Sequence, residues 1–427
     1  MTNYLDKAFV MKIVMKNSVP MIGFIASAFL IAPLSTANAA NMVITAMFRA
    51  DSSKPHENKF VNTTPNSGYC SWYPASCQSQ NVFSLSVPGF NTRGGSIAAN
   101  HTNPREGAML KAPANWRTVQ ITHGTTGETK NVEIRVVGIA ATYVLHPFAT
   151  EIVGGGASAL EAHSLLWNGA WMYAPSPCTG AFLAAFTPQS YRFYWRTPVE
   201  AVCSKQARYP IQHFRFWEMS FTYEMRTPNP LQMSSGQYAG ALTYRLGPGQ
   251  DFDFGDVVIP VDPNMTINFR LNVEHALKVD IPPGGNRVEL APQDGWQAWL
   301  SRGRAPSRLF RDQTFRISSS ARFKMHLECQ YTIGNTCAIW DGDGHSAPVD
   351  VSVSLPHGLT DASGQAVKRR PLLRDGSGTQ LFQPGFYVDH KPGTLHFEIS
   401  RANAEQMVAE GDGTYSGNVT VVWDSDI

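Results

Sequence analysis

The 427-residue chain has a net charge of +2, too small to attract nucleic acid, and Lys368-Arg369-Arg370 beside Pro371 is its one basic run. Charged residues make up only 16% of the sequence, below the usual share of about 25%, while aromatic residues make up 11%. This composition excludes a chain built to bind nucleic acid and is typical of a β protein with aromatic faces.

The first 40 residues have the layout of a secretory signal peptide. A lysine-bearing lead precedes an apolar run over 19–34, and Ala37 and Ala39 then supply the small residues that a signal peptidase reads. The apolar run is shorter than the roughly 20 residues that span a bilayer. We therefore expect cleavage after Ala39 or Ala40 rather than a membrane anchor. Two internal methionines are alternative start sites, Met11 and Met15.

The six cysteines agree with export to an oxidising compartment. An even number of cysteines in an exported chain indicates disulfides, and the gaps between them do not fit the spacing of zinc sites. Several connectivities are open from sequence alone. Proximity favours three local pairs: Cys70 with Cys77, Cys178 with Cys203, and Cys329 with Cys337.

Alternating apolar and polar residues recur along the chain, separated by Gly, Pro, Asn and Asp turns. The clearest run is 217–226, where Trp, Met, Phe, Tyr and Met alternate with polar residues, and further runs are 266–273, 323–328, 349–355, 395–399 and 419–423. Helical patterns are few, at 157–166 and at 400–410 with Ser400 as the N-cap. Short strands with this punctuation predict an all-β chain of Ig-like β-sandwiches.

The mature chain is too long for one small sandwich. The Pro-rich, polar stretch 259–264 follows a strand-rich block and precedes a fresh alternating strand. We therefore place a signal peptide at 1–40, an N-terminal domain at 41–262 and a C-terminal domain at 265–427.

The last strand signal bears on assembly. Tyr415 and Gly417 lie in a turn that feeds the apolar positions Val419, Val421 and Trp423, and the sequence stops four residues later. Such a sandwich is either complete, or it lacks its closing strand and exposes an edge that needs a strand donated by a partner. Both alternatives are open at this point.

Three segments bear a resemblance to a known family. They are the terminal Gly413-x-Tyr415-x-Gly417-Asn418-Val419-x-Val421 strand, the stretch 325–331 with the later Asp341-Gly342 and 349–355, and the hairpin signal 230–244. Together with the order of the first two cysteine pairs, they resemble the tip adhesins of the CfaE/CblD family, from alternate chaperone–usher fimbriae. The resemblance covers most of the chain as an architecture, and short motifs residue by residue.

The resemblance implies an N-terminal receptor-binding sandwich and a C-terminal pilin sandwich that lacks its last strand and accepts one from the major pilin subunit. It implies a minor tip subunit that is exported through the periplasm, initiates the fibre and adheres to a host receptor, with a periplasmic chaperone and an outer-membrane usher as partners. Family members carry a basic cluster after the late adhesin strand. Here Gly247-Pro248-Gly249 and three aspartates stand there, so the family's receptor residues are not transferred.

The aromatic and basic segment 171–215 is the candidate receptor surface. On a strand, alternate residues share a face, so Tyr191, Phe193 and Trp195 are expected in the core. The opposite face would present guanidinium groups that bind carboxylates such as sialic acid, beside rings that stack on sugars. The candidate residues are Arg192, Tyr194, Arg196, Arg208 and Trp171. The alternatives are a solvated sheet face and, for Trp171, core packing near a disulfide.

Signs of catalysis or of metal binding are weak. The stretch 341–345 has acidic residues but lacks the ligand spacing of a calcium loop, and 154–156 lacks the lysine of a phosphate loop, so both are interpreted as turns. No G-x-S-x-G or H-E-x-x-H motif occurs. We expect no enzyme, cofactor or metal. Two other hypotheses are a secreted carbohydrate-binding or carbohydrate-active β-sandwich protein and a fimbrial initiator without adhesive function.

Overall fold

The computed structural model describes residues 8–16, 40–167, 169–180, 185–293, 295–302, 308–410 and 413–425. The apolar run 19–34 and the cleavage site expected at Ala39 or Ala40 fall largely in 17–39, outside the described residues.

The chain is all-β, as the alternating patterns predict, and its strands form two groups of sheets. In chain order, the strands up to the end of the first group are β1 (Ala8–Lys16), β2 (Ala40–Arg49), β3 (Val61–Asn62), β4 (Phe83–Ser86), β5 (Thr92–Arg93), β6 (Gly95–Ile97), β7 (Ala108–Leu110), β8 (Arg117–His123), β9 (Thr129–His146), β10 (Thr179–Gly180), β11 (Ala185–Phe186), β12 (Ser190–Arg196), β13 (Cys203–Lys205), β14 (Ile211–Arg226), β15 (Gly236–Arg245), β16 (Ile259–Pro260) and β17 (Asn264–Glu274).

The strands of the second group are β18 (Leu277–Asp280), β19 (Arg287–Glu289), β20 (Ala291–Pro292), β21 (Leu309–Ser319), β22 (Lys324–Cys329), β23 (Tyr331–Ile333), β24 (Thr336–Trp340), β25 (Ser346–Ser354), β26 (Leu359–Asp361), β27 (Arg370–Leu372), β28 (Phe382–Pro384), β29 (Val388–Ile399) and β30 (Asn418–Asp424). The helices are α1 (Tyr69–Trp72), α2 (Pro74–Gln80), α3 (Ala149–Ile152), α4 (Ala159–Trp167), α5 (Gly295–Arg302) and α6 (Arg401–Ala409), with 3-10 turns at Pro104–Glu106 and Pro230–Gln232.

The first domain is a large curled sheet with strand order β10-β12-β9-β8-β15-β17-β2-β3. Its longest ladder joins β9 and β14, and β14 also pairs with β4 and β6. The core of this domain is aromatic: Trp171 and Trp195 stack at 4.8 Å, and Tyr143 packs on Trp171 at 4.6 Å. The inward face predicted for 191–195 is confirmed, since Tyr191, Phe193 and Trp195 are all buried.

The strand after the Pro-rich stretch belongs to the first domain. β17 pairs antiparallel with β15 and parallel with β2 along its length, and Ile267, Phe269 and Leu271 are buried in the first core. The stretch 259–264 is a crossover within this domain, where β16 pairs with β5. The boundary between the two domains therefore falls after Glu274, about ten residues later than the sequence analysis placed it. A Pro-rich composition indicates an exposed connection, but it does not indicate which domain the next strand belongs to.

The second domain has two facing sheets. One has the order β18-β21-β29-β25-β24-β23, and the other has the order β19-β1-β30-β22. Phe315 and Trp423 meet between the two sheets with ring centroids 5.7 Å apart. The predicted N-cap of α6 is confirmed, because the Ser400 side chain accepts a hydrogen bond from the Asn403 backbone N–H.

Three disulfides join the neighbouring cysteines, as proximity favoured: Cys70–Cys77, Cys178–Cys203 and Cys329–Cys337. The first closes the loop that carries α1 and α2 on the surface of the first domain. By restricting the unfolded chain, a short loop of this kind contributes about 2 kcal/mol.

The two domains touch around the connection at His275. Its Nε2 lies 2.9 Å from the Met233 carbonyl oxygen in the first domain, and its Nδ1 lies 3.2 Å from Ser320 Oγ in the second. Arg322 of the second domain donates to the Ser234 hydroxyl at 3.1 Å. The 233–234 loop of the first domain therefore packs directly against the second.

Candidate strand-accepting edge and receptor surface

β30 lies inside the smaller sheet of the second domain, between β22 and β1. Its antiparallel partner β22 places Leu327 opposite Val421, and its parallel partner β1 places Ile13 opposite the same residue. β1 is also paired on its far side, where Phe9 lies opposite Val288 of β19 in antiparallel register. β1 is therefore the only described strand that connects β19 with β30.

This position is informative because residues 8–16 fall in the leader that the sequence predicts to be removed on export. Without them, the described strands leave one edge of β30 and both edges of β19 without a partner. Each edge strand would then expose backbone N–H and C=O groups, which cost free energy when they are shielded from water without a partner.

The side chains of β30 follow the predicted alternation. Val419, Val421 and Trp423 are fully buried and lie in the core of the second domain. Val422 is also buried, although it points to the opposite face. An apolar strand buried on both faces is typical of the interior of a sheet and not of its edge.

The turn before β30 is fixed by polar contacts. The Tyr415 hydroxyl donates to Glu410 at 2.7 Å, and both its burial and this carboxylate raise the pKa of Tyr415. Ser416 pairs through its backbone with Trp340 of β24. A Cβ at Gly417 would lie 3.0 Å from the Ala338 carbonyl oxygen, so this close approach favours glycine.

Two of the predicted receptor residues lie in the interior. Trp171 has no exposed surface, and Tyr194 is 1% exposed. Tyr194 stacks on Tyr69 of α1 at 3.7 Å and shares a hydrogen bond with Thr222 at 2.8 Å, because α1 covers this part of the β12 face. These two side chains thus pack the first domain and offer no surface to a receptor.

The three predicted arginines are not brought together. Arg192 and Arg196 line different cavities, and Arg208 is exposed in the loop after β13. The cavity of Arg196 also contains the ion pair between Arg135 and Glu224, with a separation of 2.7 Å. Of these two cavities, the one of Arg192 combines a charged group with exposed aromatic rings.

That cavity, here called the tryptophan cleft, has a volume of about 260 Å³. Its walls include Trp72 and Trp217, which are 43% and 47% exposed. The Arg192 guanidinium lies 4.4 Å from the centroid of the Trp72 ring and donates to Glu218 at 2.7 Å. The cleft is also lined by Ser86, Val87, Gly89, Phe90, Ala140, Ala141, Thr142, Met219 and Ser220.

Sequence reasoning missed both tryptophans. Strict alternation put Trp217 on the inward face together with Met219 and Phe221. A β-bulge between residues 217 and 219 places Glu218 in the left-handed region, with φ 53°, and leaves Trp217 on the surface. No sequence signal marks this bulge, since Glu seldom adopts that conformation.

Neither a metal site nor a membrane-spanning helix is found in the part of the chain that the structure describes. Residues 341–345 form a turn between β24 and β25, as the sequence predicts. Asp341 accepts hydrogen bonds from the backbone N–H groups of Asp343 and His345 and also contacts the His345 ring at 2.7 Å.

No family model matches this chain, and no curated protein matches it either. Among solved structures, the chain aligns with CfaE, the adhesive subunit of CFA/I fimbria of enterotoxigenic Escherichia coli, at 10% identity and TM-score 0.22, over 91% of this chain and 98% of that chain. It also aligns with the CsuC–CsuE chaperone–tip adhesion subunit pre-assembly complex from archaic chaperone–usher Csu pili of Acinetobacter baumannii, at 11% identity and TM-score 0.21, over 90% and 98%.

Proposed function

We propose that the chain is the tip subunit of a chaperone–usher fimbria: its second domain accepts a strand from another subunit, and its first domain adheres to a host receptor. The observation that supports this is the place of β1, which fills the space between β19 and β30 with a segment of the predicted leader. After export this space would be open to a donated strand.

The physical reason lies in the backbone of β30. β1 pairs with β30 along the whole length of β30, from Val10 opposite Asn418 to Lys16 opposite Asp424. One complete edge of β30 therefore loses its partner when β1 is removed. The apolar residues of β30 would become accessible from the same side. A long apolar edge aggregates unless a partner covers it, and strand donation is the known solution.

The resemblance to the tip adhesins of the CfaE/CblD family implies the partners of such a subunit. A periplasmic chaperone would cover the edge before assembly, an outer-membrane usher would receive the complex, and the major pilin subunit would donate the final strand. In this role the chain is a binding and assembly protein at the fimbrial tip and not an enzyme. A secreted carbohydrate-binding protein would use the first domain in the same way, but its second sandwich would be complete.

The test is to supply the missing strand from outside. Residues 40–427 would be produced alone and refolded with a synthetic peptide of residues 8–16. A matched control peptide carries Ile13→Pro, which removes one backbone N–H from the ladder and disfavours the extended pairing. We expect the first peptide to keep the protein monomeric and to raise the unfolding temperature of the second domain by 10 °C or more, and the second peptide to do neither.

A chain of residues 40–427 that is monomeric and equally stable without any peptide would overturn the strand-accepting role. Co-expression with a chaperone of the chaperone–usher class gives a second readout. We expect a stable complex between the two proteins that dissociates when the peptide of residues 8–16 is added in excess.

A further inference from the structure

The tryptophan cleft is built to be rigid. Trp72 ends α1, which the Cys70–Cys77 disulfide closes onto α2. The Cys70 backbone N–H donates to Ser84 Oγ at 2.8 Å, and the adjacent Tyr69 ring stacks on Tyr194. These contacts hold an exposed aromatic ring in one place, which reduces the entropy lost when a ligand binds.

The approach of α1 to the sheet depends on a glycine. Gly68 has φ 72°, and a Cβ at this position would lie 2.3 Å from Ser220 Cβ. Any side chain here would push α1, and Trp72 with it, away from β14. Trp217, which also lines the cleft, is placed by the bulge at Glu218, so both tryptophans are held by backbone geometry.

The charges in the cleft compensate each other. Arg192 uses Nη2 to bind Glu218 and Nε to contact Thr142 Oγ1 at 3.3 Å. Among the described contacts, Arg192 Nη1 and Glu218 Oε1 have no further partner, so the cleft offers one set of free donors and one free acceptor side by side. A guanidinium and a carboxylate at this spacing match the alternating donors and acceptors of neighbouring hydroxyl groups.

We propose that the tryptophan cleft binds one ring of a neutral, non-sialylated glycan. The exposed Trp217 ring would cover the apolar C–H face of the pyranose, Trp72 would contact the sugar beside the Arg192 guanidinium that lies over its ring, and the Arg192–Glu218 pair would bind vicinal hydroxyls. This inference rests on the adhesive role proposed for the first domain and is independent of strand acceptance by the second.

The ion pair decides against an acidic sugar. Sequence reasoning assigned Arg192 to the carboxylate of sialic acid, but Nη2 of its guanidinium already binds the Glu218 carboxylate. A second carboxylate would compete with Glu218 and would be repelled by it at close range. The volume of about 260 Å³ is also below the range of roughly 300–1,000 Å³ for drug-sized ligands, so the cleft accommodates one ring while the remainder of the glycan extends into solvent.

The experiment compares neutral oligosaccharides with galactose or N-acetylhexosamine ends, printed on an array, with their sialylated forms. The protein used is residues 40–427. The peptide of residues 8–16 is added if the protein does not fold without it. We expect binding to neutral glycans at least tenfold stronger than to their sialylated forms. Titration of the strongest free oligosaccharide, followed by tryptophan fluorescence and by saturation-transfer NMR, would then give its affinity.

Variants locate the site. Trp217→Ala and Trp72→Ala are expected to weaken binding at least tenfold, while Trp217→Phe retains most of it because a ring remains. Trp340→Ala is the matched control, since this tryptophan is 37% exposed but lies in the second domain. Stronger binding to sialylated glycans, binding to none of the glycans, or unchanged binding by Trp217→Ala would each overturn the proposal.

The outcomes for the two proposals are separable. Strand acceptance without glycan binding would overturn the cleft as a glycan site and leave the strand-accepting role of the second domain in place. Glycan binding without strand acceptance would describe a secreted carbohydrate-binding protein and overturn only the fimbrial role.

Discussion

Ile13 of β1 lies opposite Val421 of β30, and the two strands run parallel. Neighbouring N–H groups of a strand point alternately to its two sides, so half of the β30 amides face β1 and half face β22. In residues 40–427 without a donor, we expect alternate amides of β30 to exchange with solvent at least tenfold faster than in the complex with the peptide of residues 8–16. Hydrogen exchange followed by NMR measures this.

The amides of β30 that face β22 provide the internal control, and they should remain protected in both forms as long as the domain is folded. Uniform protection of β30 without the peptide would mean that another part of the chain covers this edge.

The core position of Trp423 gives a second prediction. Its ring is fully buried and packs against Phe315. Removing a buried tryptophan side chain leaves a cavity and costs about 3–5 kcal/mol. In the complex with the peptide of residues 8–16, we expect Trp423→Ala to lower the free energy of unfolding of the second domain by this amount, measured by urea denaturation.

Trp340→Ala is the matched control for Trp423→Ala, because Trp340 is partly exposed at the end of β24. We expect it to cost about 1 kcal/mol or less. Equal losses in the two variants would contradict the central position of Trp423 in the core.

Much of the fold follows from alternation alone. The strand predicted over 419–423 is β30 with its inward residues as expected, and the pattern over 266–273 is β17. Period two sets the faces of a regular strand, but it does not determine which sheet the strand joins. For that reason β17 was placed in the wrong domain, although its strand and its buried residues were predicted correctly.

The candidate receptor surface was less predictable than the strands. Tyr194 occupies the polar face of β12 in the alternating pattern, yet it is buried because α1 lies over that face. Trp217 is exposed because of a bulge. Both outcomes depend on contacts between segments that are more than seventy residues apart, and local periodicity carries no information about such contacts. Arg192 lines the tryptophan cleft, because its charge keeps it near the surface in either arrangement, and its role in receptor binding stays a prediction.

We expect the first domain to lose stability in acid, because the Glu128 carboxylate stabilises it only while it is ionised. It accepts hydrogen bonds from the Tyr238 hydroxyl and from the Ser234 backbone N–H, in the loop that packs on the second domain. Burial alone would raise the pKa of Glu128, but these hydrogen bonds and Lys130 outweigh it and lower the pKa to about 2. The stabilisation is therefore present above pH 4.5 and disappears as the pH falls from 4.5 through 2.

We expect Glu128→Gln to reduce the free energy of unfolding by about 2 kcal/mol at pH 7, with the difference from the unmodified chain shrinking below pH 4.5. Urea denaturation at pH 7, 4.5 and 3 measures this. Glu57→Gln serves as the control, because the Glu57 side chain is 56% exposed and forms a surface ion pair with Lys54. A difference that stays constant over this pH range would mean that the charge of Glu128 has no part in it.

The bulge at Glu218 allows function and stability to be separated. A non-glycine residue in the left-handed region costs roughly 1–2 kcal/mol, a cost that glycine avoids. Glu218→Gly also removes the ion pair with Arg192. The Arg192 side chain is 33% exposed and the Glu218 side chain is 41% exposed. An ion pair with this exposure contributes about 0–1 kcal/mol to stability. The two effects offset each other, so the unfolding temperature of the first domain should change by no more than a few degrees.

Glycan binding should respond differently to the same substitution. Glu218→Gly removes the acceptor beside Arg192 and leaves the guanidinium uncompensated, so we expect at least tenfold weaker binding to neutral oligosaccharides and a relative gain for sialylated ones. Parallel measurement of thermal unfolding and of array binding tests this. A variant that is several kcal/mol less stable would indicate that Glu218 holds the bulge together, whereas a stable variant with inverted preference would show that this carboxylate excludes acidic sugars from the cleft.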